Sequence, residues 1–91
     1  MNETRVKRLI FRAWRRGFRE ADLILGPFAD SYAAGMDDAT LSTFEDLLEE
    51  SDHDIYAWIL GAAPVPEKFD TEIMARLRAF QPAGARPGVN D

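Results

Sequence analysis

Arg15-Arg16-Gly17-Phe18-Arg19-Glu20-Ala21-Asp22 turns from basic to acidic within eight residues, with a glycine inside the change. Cations favour the C-terminus of a helix, glycine supplies the left-handed residue that ends one, and acids favour the next N-terminus. The segment therefore predicts two helices meeting at an exposed corner. Upstream, Val6, Leu9, Ile10, Ala13 and Trp14 recur at helical spacing as one apolar stripe. Downstream, a second helix starts near Phe18 or Arg19 and runs to about Ala34, with a kink or early break expected at Gly26-Pro27.

Beyond Gly35, Asp37 or Asp38 can cap a third helix with Leu41, Phe44, Leu47 and Leu48 on one face. Ser51 and Asp54 resemble a capping box for a short fourth helix, Ile55 to Leu60, which stops at Gly61. Pro64-Val65-Pro66 is an extended connector. Glu67 then opens a fifth helix, with Phe69, Ile73, Leu77 and Phe80 spaced for burial. No strand alternation competes. The expectation is an all-α, single-domain bundle of about five short helices over residues 1–80, followed by a disordered tail over residues 81–91.

With 91 residues, the chain can bury only a modest core and has no room for a deep substrate cavity. It contains no cysteine, which excludes disulfides, thiol nucleophiles and thiolate metal sites. No apolar run reaches the ~20 residues of a membrane span, and no secretory signal opens the chain, so a cytoplasmic location without membrane insertion is the expectation. The net charge of −5 conceals a segregation of sign. Residues 1–19 carry Arg5, Lys7, Arg8, Arg12, Arg15, Arg16 and Arg19 against Glu3 alone, whereas residues 20–54 carry eleven carboxylates and no Lys or Arg. Such segregation points to recognition more than to folding.

The corner is the leading candidate surface. Capping chemistry alone accounts for Arg16, Gly17 and Glu20. It leaves Arg12, Arg15, Arg16 and Arg19 repelling one another unless a partner neutralises them. His53, the sole histidine, has no second histidine or cysteine to share a metal, and no nucleophile stands in evident register with it. No catalytic and no metal-binding residue is assigned. Trp14 and Trp58 both fall on core positions by periodicity, Trp58 partly exposed beside the corner.

At these residues the chain resembles the succinate dehydrogenase assembly factor family, the small proteins called flavinators. The family's Arg-Gly-x-x-Glu pattern followed by an acid is matched by Arg16, Gly17, Glu20 and Asp22. An acidic-aromatic block follows in Asp52, Asp54, Ile55, Tyr56 and Trp58, and a third in Pro64, Pro66 and Glu67 with Phe69, Met74, Leu77 and Phe80. The likeness covers about Arg5 to Phe80. Arg-Gly-x-x-Glu alone is a weak signal; three blocks in order make it specific.

The resemblance implies a five-helix assembly chaperone, not an enzyme, that binds the flavoprotein subunit of succinate dehydrogenase or of the related fumarate reductase. It implies that FAD is carried by that client and not by the chain, and that the client's own histidine attacks the flavin. Arg16, Gly17 and Glu20 fall on the motif expected to face the client, with Arg15, Asp22, Asp52, Asp54 and Trp58 as neighbours on the same surface. A monomer when free is expected. The rival from another class is a small nucleic-acid-binding regulator or antitoxin, suggested by the basic first helix. The eleven carboxylates that follow would repel a phosphate backbone, so no nucleic-acid partner is expected.

Overall fold

In the computed structural model, which describes residues 3–80, five α-helices follow one another: α1 (Glu3–Trp14), α2 (Arg19–Tyr32), α3 (Asp38–Leu47), α4 (Asp52–Leu60) and α5 (Glu72–Ala79). Two 3₁₀ turns, Ala33–Gly35 and Glu67–Phe69, complete the helical content, and no strand occurs among the described residues. The all-α expectation holds. The tail expectation for residues 81–91 lies outside the described residues.

The helix boundaries largely follow capping chemistry. Asp37 accepts the Thr40 N–H at 2.8 Å to start α3, and Ser51 Oγ accepts the Asp54 N–H at 3.2 Å to start α4. Each satisfies a donor that the first turn leaves without an intrahelical partner. Because Ser51 is the cap, α4 begins at Asp52, a turn earlier than the apolar periodicity suggests. Gly61, at φ +76°, ends α4 in the left-handed conformation. Glu67 opens only a 3₁₀ turn, which seats Phe69 in the core; α5 starts at Glu72, after Thr71.

The break expected at Gly26-Pro27 does not occur, because α2 is continuous through both residues. Pro27 removes the N–H that the Leu23 carbonyl would accept, and Leu23 lies at a half-exposed position. Gly26 has a packing reason. The Trp14 indole of α1 lies over it so closely that a Cβ built there would clash with the ring atoms Cδ2, Cε2 and Cε3. The indole N–H then reaches Asp30 Oδ2 at 3.2 Å. Trp14 is therefore not a core residue: 38 % of it remains exposed, as a lid across the α1–α2 seam.

α1 and α2 form a helical hairpin. The 3₁₀ turn after α2 also touches α1, so α2 runs back along its partner, and α4 and α5 also pack on α2. Phe28 of α2 sits at the centre, fully buried, with its ring 5.0, 5.7 and 5.5 Å from those of Tyr32, Phe44 and Phe80. Leu9, Ala13, Leu25, Leu41, Ile55 and Leu77 close around it. Burying such side chains stabilises the fold by ~1.5–3 kcal/mol each for the larger ones. Arg78 of α5 donates to the Trp58 carbonyl at 3.0 Å, which secures the last turn of α4.

Candidate functional site

Residues 15–18 join α1 to α2. Gly17 stands at φ +91°, exposed, and a Cβ placed on it would meet no atom within 4 Å. Its place in the fold rests on its backbone conformation and not on close packing. Phe18 then caps α2 with extended backbone, its carbonyl accepting the Asp22 N–H at 2.9 Å. Its ring lies 4.6 Å from His53 and 5.2 Å from Tyr56, so the start of α4 rests against the corner.

Arg16 behaves unlike the exposed corner cation expected of it. Its guanidinium pairs with the Asp52 carboxylate through Nε. It donates from Nη1 to the Leu48 carbonyl and from Nη2 to the Glu50 carbonyl, both at 2.6 Å. Its backbone N–H donates to Asp22 Oδ1 at 3.1 Å, and only 11 % of its side chain is exposed. Those two carbonyls belong to the turn in which α3 ends, where carbonyls lack intrahelical partners and carry the negative end of the helix dipole. One planar fork thus closes α3, anchors the first residue of α4 and fixes the corner against both. An ammonium group could not reproduce that geometry.

The segregated charge is likewise taken up inside the fold and does not all await a partner. Arg5 binds Glu45 in bidentate fashion (2.9 and 3.0 Å), reaches Ser42 Oγ at 2.7 Å and lies 3.6 Å from Asp38. Arg12 pairs with Glu49 at 2.7 Å. Arg5, Arg12 and Arg16 therefore face the acidic side of α3 and the start of α4, and no partner is needed to neutralise Arg12 and Arg16. The Arg5 hydrogen bond holds the Glu45 carboxyl below its ordinary range. The Thr40 hydrogen bond does the same for Asp37. Much of the segregated charge serves the fold.

The eight residues singled out in the sequence consequently divide. Arg15, Gly17, Glu20 and Asp54 are exposed around the corner. Arg16, Asp22 and Asp52 are half-buried and tied to one another. Trp58 is 7 % exposed and stacks on Phe69 at 5.6 Å; it is a core residue, not a partly exposed neighbour of the corner. Sequence reasoning missed Phe18 and Tyr56 as the packing between corner and α4. It also missed Phe11, 58 % exposed, with the Arg15 guanidinium 4.6 Å above its ring. The i, i+4 spacing of Phe11 and Arg15 was the available signal. A groove of about 510 Å³ between the end of α2, the start of α3 and α5 is lined by none of the eight.

What the arrangement presents is an open corner flanked by charge. Residues 7–81 match the family described as the flavinator of succinate dehydrogenase. The chain is 37 % identical over 78 residues to succinate dehydrogenase assembly factor 2-B, mitochondrial, of Drosophila mojavensis, covering 84 % of the chain and 50 % of that protein. It is 40 % identical over 68 residues to the Dictyostelium discoideum assembly factor 2, covering 75 % and 48 %. With the Meyerozyma guilliermondii assembly factor 2 it shares 35 % over 80 residues, covering 84 % and 59 %. The chain thus spans about half the length of these relatives. All three are named as mitochondrial, which overturns the cytoplasmic expectation: they point to mitochondria instead. On the match over residues 7–81, the chain belongs to the succinate dehydrogenase flavinator family.

Proposed function

We propose that the chain assists succinate dehydrogenase assembly by binding the enzyme's flavoprotein subunit and favouring covalent attachment of FAD to it. The exposed corner around Gly17 is the docking face in this reading. The observation that carries it is a left-handed glycine, exposed and open above, held by Arg16 inside the segment that matches the family. FAD stays with the client, and so does the bond-forming chemistry. The chain's part is to hold histidine and flavin in register, and alignment of that kind can be worth up to ~7–11 kcal/mol. Arg15, Arg19 and Glu20, all exposed, supply charged contacts to the client. A nucleic-acid partner is disfavoured, since Arg5, Arg12 and Arg16 are already paired within the fold.

Deletion of the gene is expected to abolish covalent flavin on the client subunit, read as fluorescence of the denatured band. The wild-type gene restores it. Gly17→Arg does not, although it folds, because its side chain projects from the docking face. Gly17→Ala bears similar backbone strain, roughly 1–2 kcal/mol, without the projection, and restores flavin in part or in full. Undiminished flavin in the deletion strain would exclude the proposal.

A further inference from the structure

The corner by itself is small. It exposes Arg15, Gly17, Arg19 and Glu20, whereas a stable interface takes ~20–30 residues and ~800 Å² per partner, roughly a seventh of the chain's 5695 Å² surface. The docking face must therefore continue onto a neighbouring element. On α1, the flank toward α3 is used by Arg5 and Arg12, and the apolar flank by Leu9 and Ala13. The ridge that remains carries Lys7, Arg8, Phe11 and Arg15, all exposed and continuous with the corner. Lys7, Arg8 and Arg15 have no ion pair among the described residues, while Phe11 is 58 % exposed with Arg15 over its ring.

From this we infer that the outward ridge of α1 is a second docking element, which seats a carboxylate-rich surface of the same client protein. The inference rests on the function proposed above. Unpaired cations around one exposed aromatic match the composition of protein interfaces, where arginine and aromatic residues concentrate. Charge complementarity selects an acidic partner surface. A lipid surface fits less well, because the apolar face of α1 is already buried against the core and leaves Phe11 alone to enter the headgroups. Lys7 to Trp14 spans about 10 Å of helix, with Arg15 just beyond its end, enough to extend the corner footprint along one side. The ridge steers the encounter through charge, and Phe11 slows release.

The test is binding of purified client flavoprotein subunit to the wild-type chain, to the double variant Lys7→Gln/Arg8→Gln and to Phe11→Ala, from low salt to about 0.15 M. Glutamine keeps helix propensity, and neither double-variant site belongs to the corner. The double variant is expected to associate roughly three- to ten-fold more slowly at low salt with a flatter salt dependence, and Phe11→Ala to dissociate faster. Unchanged association and salt slope in the double variant, with Gly17→Arg still abolishing binding, would overturn the ridge while sparing the corner. No binding by the wild-type chain would overturn both. Binding to anionic phospholipid vesicles that the double variant loses, with client binding intact, would reassign the ridge to a membrane surface and overturn the inference.

Discussion

Arg16 and the outward ridge of α1 carry the same kind of charge a few residues apart, yet the fold treats them in opposite ways. Arg16 is 11 % exposed, with every guanidinium nitrogen engaged by Asp52, Leu48 or Glu50. Lys7 and Arg8 are exposed and have no ion pair among the described residues. A run of cations in a sequence is therefore not one feature. Each charge must be assigned to the interior or to the surface by the geometry of what lies opposite it, and only the unassigned ones remain for recognition.

That contrast can be broken most forcefully at Arg16. Arg16→Ala leaves a half-buried carboxylate and two helix-end carbonyls without their partner, and should cost about 2–4 kcal/mol in urea unfolding. A stability equal to wild type would mean that the three bonds are incidental. Arg16→Lys keeps the charge but loses the planar fork, and a smaller loss of about 1–2 kcal/mol is expected. The Arg12–Glu49 pair lies between the two extremes, with the side chains 38 % and 70 % exposed. Arg12→Gln should cost no more than about 1 kcal/mol. At the far end, Lys7→Gln/Arg8→Gln should leave the urea midpoint where it is, because nothing in the fold depends on either charge.

A pH series sharpens the contrast through Glu45. Its carboxyl is lowered in the fold, chiefly by the Arg5 hydrogen bond. The stability it contributes is complete above the unfolded value near 4.5 and is lost as pH falls through the lower folded value. The difference in urea midpoint between wild type and Glu45→Gln should therefore shrink on acidification from about pH 6 to about pH 3. A difference independent of pH would show that Arg5 does not stabilise the ionised form.

The helices were legible because caps and apolar spacing are local. Asp37, Ser51 and Gly61 do what their residue types allow, and Leu41, Phe44 and Leu47 are buried as their spacing requires. The corner was legible for the same reason: Gly17 is left-handed where the charge pattern predicts a turn. Long-range partners were not legible. Arg16 meets residues 32 to 36 positions away, and nothing near it in the chain announces Leu48 or Asp52. Gly26-Pro27 misled by the same route. Proline's rule is local, whereas the reason for Gly26 is an indole from another helix. Trp14 and Trp58 show that periodicity ranks burial poorly for large amphipathic rings, one half-exposed and the other enclosed.

Docking of the flavoprotein subunit on the open glycine corner is read by calorimetric titration of that purified subunit with the chain. Wild type should bind, and Gly17→Arg, with an unchanged helical circular dichroism spectrum, should release no heat of binding. Equal affinity for both chains would mean that a large side chain stands on the corner at no cost and that the subunit docks elsewhere.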